Sequence, residues 1–76
     1  MFDRITFDSK VMGGRACIRG MRITVALIVN LVANGMAAPE ILKDYPDLET
    51  EDIRQALQYA ASLAREEVYP LTGRQA

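Results

Sequence analysis

Gly35, Pro39 and Pro46 punctuate the middle of this chain and constrain what it can fold into more than any other feature. Proline cannot donate the bond that continues a helix, and glycine readily takes the left-handed conformation that ends one. The stretch GMAAPEILKDYPDLETEDIRQAL, residues 35–57, therefore reads as a turn, a short helix, a second turn and the start of a longer helix.

Upstream, Val25, Leu27, Ile28, Val29, Leu31 and Val32 cover well over half of a helix predicted from Val25 to Asn34, with Thr24 as its N-cap and Gly35 as its end. A helix this apolar is expected to be covered on more than one side. The second helix should start near Pro39 and stop before Pro46, turning Ile41, Leu42 and Tyr45 inward. The third has Thr50 as cap, with Glu51 and Asp52 at the positive end of its dipole. Its stripe of Ile53, Ala56, Leu57, Ala60, Leu63 and Ala64 is expected to pack in the core and to run to about Val68. Before these helices, Ile5-Thr6-Phe7 and Ala16-Cys17-Ile18 flank Gly13-Gly14 as two short strands of a hairpin. The predicted fold is mainly α, a three-helix bundle preceded by a short β-hairpin. It forms one domain over residues 1–76: a hairpin arm (1–23), the bundle (24–69) and a flexible tail (70–76).

Half of the 76 residues are apolar. At this size one core supplies roughly 3–5 kcal/mol of net stability, so a staple or a partner is expected. Cys17 is the sole cysteine, which rules out an intrachain disulfide, and without histidine a cysteine/histidine zinc site cannot be assembled. Self-association into a homodimer is the expected remedy, and no metal or cofactor is expected. No apolar run approaches the roughly 20 residues that cross a bilayer, and MFDRITFD resembles no signal segment. A soluble cytoplasmic protein without a membrane partner is expected.

Catalysis is poorly supported. Histidine, the usual acid or base near neutral pH, is missing, and most carboxylates stand at helix starts, where capping explains them. Cys17 has no histidine to activate it, and the glycines at 13, 14 and 20 make no phosphate loop. We expect neither an enzyme nor a small-molecule substrate. The charge is uneven: residues 1–30 carry +3 and residues 31–76 carry −4. On a helix-turn-helix reading, Glu51, Asp52, Arg54, Gln55 and Gln58 would face outward near the start of the third helix, and Arg54, Gln55 and Gln58 could read base edges. Clustered Glu49, Glu51 and Asp52 would repel DNA there. Arg15, Arg19 and Arg22 near the hairpin offer another nucleic-acid route, against which stands their use as partners for carboxylates within the fold. The acidic, apolar C-terminal region, with Glu66, Glu67, Tyr69 and Leu71, is the candidate site for a basic protein partner.

The segments GGRACIRGMRITV and LVANGMAAPEILKDYPDLETEDIRQALQYAA resemble the bacterial family numbered 433 among domains of unknown function. The resemblance spans about residues 5–69 and departs at Ala16 and Met21, where the family favours proline and threonine. It implies a homeodomain-like helix-turn-helix. It also implies an antitoxin-like role in a type II toxin–antitoxin pair, neutralising a PIN-like ribonuclease and in some cases binding operator DNA. A DNA-binding regulator and a plain dimeric protein-interaction module are the alternatives.

Overall fold

A computed structural model of the chain describes residues 2–64. Two short strands, β1 (Ile5–Thr6) and β2 (Cys17–Ile18), precede three helices, α1 (Val25–Ala33), α2 (Ala38–Asp44) and α3 (Thr50–Ala64). The fold is the expected one: mainly α, a three-helix helix-turn-helix bundle of homeodomain type behind a β-hairpin. The strands pair antiparallel with Ile5 opposite Ile18 and Thr6 opposite Cys17. A 3₁₀ turn at Met12–Gly14 lies between them.

A second tight turn follows β2, where the sequence suggests only a break at Gly20. Arg19 and Gly20 both have positive φ, 47° and 74°. Met21 N–H donates to the Ile18 carbonyl at 2.8 Å, and Ile18 N–H to the Ile23 carbonyl at 2.9 Å. Positive φ at both central residues marks the primed turn that matches strand twist. It folds the chain back so that Thr24 bridges Cys17 and starts α1. The Thr24 hydroxyl accepts from Leu27 N–H at 3.0 Å, as a cap should.

Gly35 ends α1 with φ 94°. Gly35 N–H donates to the Val32 carbonyl and Met36 N–H to the Leu31 carbonyl, both at 3.0 Å. This crossed pair satisfies carbonyls that the helix leaves open and sets the angle to α2. A Cβ at Gly35 would meet nothing within 4 Å, so its cost is conformational alone. Gly35→Ala should lower the unfolding free energy by about 1 kcal/mol. Urea denaturation checks this, with a lower midpoint at unchanged slope.

The third helix is capped differently from expectation. Thr50 is its first residue, and the cap is Glu49, whose N–H donates to Asp52 Oδ2 at 2.8 Å. Thr50 lacks that role because Asp52 reaches back as the acidic half of a capping box. In α2, Glu40 does the same for Ala37 N–H at 3.0 Å.

One apolar cluster holds these elements together: Ile5 and Ile18 from the hairpin, Val25 and Ile28 from α1, Ile41 from α2, Leu48 from the second turn, and Ile53 and Ala56 from α3. Ile18, Ile28, Ile41 and Ala56 are completely buried. Among the described residues, no helix is long and apolar enough to cross a membrane.

Candidate partner-binding groove

The hairpin register brings two cations together. With Ile5 opposite Ile18, the next pair along the ladder is Arg4 and Arg19, and Arg19 N–H donates to the Arg4 carbonyl at 2.8 Å. Like charges placed opposite each other repel, so the arrangement calls for an acid between them. Asp52 supplies it. Its carboxylate is fully buried and accepts from Arg19 Nε at 3.0 Å and Nη2 at 2.8 Å, and from Arg4 Nη1 at 3.0 Å. Arg4 Nη1 also reaches Glu49 Oε1 at 2.6 Å, and Arg19 Nη2 the Asp47 carbonyl at 2.7 Å. Burial opposes ionisation of Asp52, but the hydrogen bonds from Arg19, the Glu49 amide and Arg4 outweigh it and hold its carboxyl below the usual aspartate range.

Gln55 ties the same corner. It is buried, its Oε1 accepts from Arg4 N–H at 3.0 Å, and its Nε2 donates to Asp3 Oδ1 at 2.7 Å. The expectation that Asp52 and Gln55 face outward is therefore corrected: both lie on the side of α3 that meets the hairpin. Their side chains are committed there, so Gln55 does not present its amide at the surface. For Arg19 the second of its two readings holds, partner to a carboxylate within the fold: its guanidinium is held by Asp52 and is not offered to nucleic acid. Arg4 was missed as a functional cation altogether.

The outward side of α3 carries Glu51, Arg54 and Gln58. Arg54 is paired with Glu51, through Nε to Oε1 at 2.8 Å and through a second contact from Nη2 to Oε2. Arg54, with Gln55 assisting, lowers the Glu51 pKa to about 2. Unfolded glutamate titrates at about 4.3, so below that pH the unfolded state binds more protons than the native one. The contribution of Glu51 is thus complete above the unfolded pKa and is lost as pH falls through about 2. Acid unfolding of Glu51→Gln should lack that part of the slope, and identical profiles for the variant and the parent would refute the pairing.

Arg15 and Arg22 remain exposed. Neither makes an ion pair among the described residues, and Arg22 has only a 3.8 Å contact from Nη1 to Met12 Sδ. Glu66, Glu67, Tyr69 and Leu71 lie outside the described residues.

A groove of about 540 Å³ opens where the hairpin, α1 and α3 meet. Helix α1 contributes Val25, Ala26, Val29 and Asn30, and α3 contributes Tyr59, Ala60 and Leu63. Phe7 closes one side and Arg15 stands at the hairpin. The Tyr59 ring meets both Phe2 and Phe7 edge-on, with centroids 5.6 and 6.0 Å apart. Among the described residues, the large apolar side chains left exposed are Phe7 at 60% and Leu63 at 64%, and both line this groove.

One sequence expectation changes here. The stripe of α3 is core only as far as about Ala60; Leu63 and Ala64 are exposed. Leu63 is left open on the groove that α3 forms with Val25, Ala26 and Val29 of α1. Helix α1 is covered on more than one side, as expected, with Val25 and Ile28 buried and Leu27, Val29, Leu31 and Val32 half-buried, while Ala26 is exposed.

Residues 5–60 match the model of the family described as "Protein of unknown function (DUF433)". The chain is similar to uncharacterized protein y4eO of Sinorhizobium fredii (strain NBRC 101917 / NGR234), with 34% identity over 70 residues, 92% of this chain and 29% of that protein. It is also similar to the crystal structure of a DUF433 member protein from Anabaena variabilis ATCC 29413. That match has a TM-score of 0.74 and 34% identity, and covers 86% of this chain and 63% of the other. The chain thus spans less than two thirds of either relative.

Proposed function

The chain belongs to the DUF433 family, and from that premise we propose that it is a non-enzymatic protein-binding module, the antitoxin-like half of a toxin–antitoxin pair, that docks a PIN-like ribonuclease along the α1–α3 groove. The observation that carries this reading is the concentration of exposed apolar surface, Phe7 and Leu63, on one concave site. Fully burying such a side chain contributes about 1.5–3 kcal/mol, which makes these two the natural anchors of an interface. The start of α3 supports a protein partner over a DNA groove: it presents Glu51 paired with Arg54, while the nearby guanidinium groups of Arg4 and Arg19 are bound to Asp52. A reducing cytoplasm suits the buried free thiol of Cys17.

Co-expression with the product of the adjacent gene tests this reading. The expected result is a complex that co-purifies and in which ribonuclease activity is suppressed. No complex, with an adjacent product unrelated to nucleases, would leave a plain interaction module.

A second reading, operator binding, is favoured by Arg15 and Arg22, exposed on the hairpin without ion pairs among the described residues. It calls for a gel shift with the chain's own upstream DNA that weakens steeply with salt and is reduced in Arg15→Ala/Arg22→Ala. No shift at low salt, alone or with the partner, would exclude it.

A further inference from the structure

The geometry points to one kind of occupant for the groove: an amphipathic helix of the partner protein that carries an acidic side chain opposite Arg15. This inference rests on the protein-binding reading above and adds the chemistry of what is bound.

Three of the lining residues are alanines, Ala16 just before β2, Ala26 on α1 and Ala60 on α3. Side chains this small let a helix backbone come close, and the apolar surface of Val29, Tyr59 and Leu63 beside them suits the anchors of an amphipathic helix. A volume of about 540 Å³ would also suit a small molecule. Such sites, however, fix their ligands with convergent polar groups. Here the Thr24 hydroxyl is committed to capping Leu27, which leaves Asn30, Arg15 and the Tyr59 hydroxyl as the polar groups of the lining.

Arg15 gives the partner its sign. Among the described residues it is the one charged residue lining the groove. Arg4, Arg19 and Arg54 are each bound to a carboxylate, whereas Arg15 is exposed and makes no ion pair among the described residues. An acid arriving on the occupant would meet an unengaged guanidinium; a cation would be repelled. Rim charges of this kind set partner choice and association rate more than total affinity.

The test uses the full chain, ¹⁵N-labelled, and two synthetic 18-residue helical peptides with leucines at i, i+3, i+4 and i+7. One carries glutamates flanking the leucine face and the other carries lysines at the same positions. The glutamate peptide should shift the amides of Arg15, Val29, Ala60 and Leu63 and bind about fivefold more tightly at low salt, the difference shrinking as salt rises. Arg15→Glu, an exposed site whose folding is checked by circular dichroism, should reverse the preference. Equal binding of both peptides in the groove would overturn the acidic partner and leave the groove as a docking site. Failure of both peptides to shift these amides would overturn the inference together with the reading beneath it. Groove amides that shift with protein concentration alone would assign the site to a second copy of this chain and overturn the inference.

Discussion

Asp52→Ala is expected to lower the unfolding free energy by about 3–4 kcal/mol, leaving a large share of the chain unfolded at room temperature. Breaking a buried ion pair typically costs about 3–5 kcal/mol, because the partner charge is left uncompensated. Here Arg4 and Arg19 keep some access to water, with side chains 27% and 37% exposed, which holds the cost toward the lower end. Loss of the Glu49 cap adds to it, since removing a helix cap alone costs about 1 kcal/mol. A core of this size supplies only roughly 3–5 kcal/mol in all. Urea denaturation followed by circular dichroism measures the effect. Arg54→Ala is the control, because its pairing with Glu51 lies at the surface, where solvent and salt screen it. Equal losses in the two variants would refute the hub.

The hub also explains why Arg19 tolerates a left-handed backbone. A non-glycine residue at φ 47° carries strain. The hydrogen bond from its backbone N–H to the Arg4 carbonyl and the two-pronged grip of its guanidinium on Asp52 hold it there. The turn at Arg19-Gly20 and the charge hub are thus one device, fastening the hairpin to the start of α3.

How much of this the sequence disclosed follows from the range of each interaction. Thr24 and Gly35 act on residues three or four positions away, so cap and helix end are readable locally. So are Pro39 and Pro46 as limits of α2, and the alternation that marks β1 and β2. The hub was not readable, because Asp52 meets partners 33 and 48 residues earlier in the chain. Its acids near a helix start satisfied a dipole argument, and that local explanation concealed the long-range one. One signal was present. Asp52 lies next to Ile53 and one helical turn before Ala56, and Gln55 is adjacent to Ala56, which places both polar residues at the border of the buried stripe. The groove was hidden for another reason. A periodic stripe records which side of α3 is apolar, but whether a neighbour covers it depends on how α1 and the hairpin pack, and they leave Leu63 open in the groove it shares with Val25, Ala26 and Val29.

Leu63→Glu is the second large effect, and it acts on binding with little effect on folding. Leu63 is 64% exposed, so the substitution removes no core contact and leaves stability nearly unchanged. In a complex that buries the groove it replaces an apolar anchor with a charge that must be desolvated. A loss of at least 2 kcal/mol is expected, about 30-fold in affinity, as for a central anchor. Phe7→Ala should act in the same direction, with a smaller loss because part of that ring already rests on Tyr59. Gln58→Glu is the matched control: it adds the same charge to α3 on its exposed outer side, away from the groove lining.

Titration calorimetry of the adjacent gene product against the parent chain, Leu63→Glu and Gln58→Glu decides most directly whether the groove is the working surface. The expected outcome is a weakening of about 30-fold or more for Leu63→Glu, with Gln58→Glu within about twofold of the parent. Parent-like affinity for Leu63→Glu together with a marked loss for Gln58→Glu would place the contact on the outer face of α3 and contradict the groove.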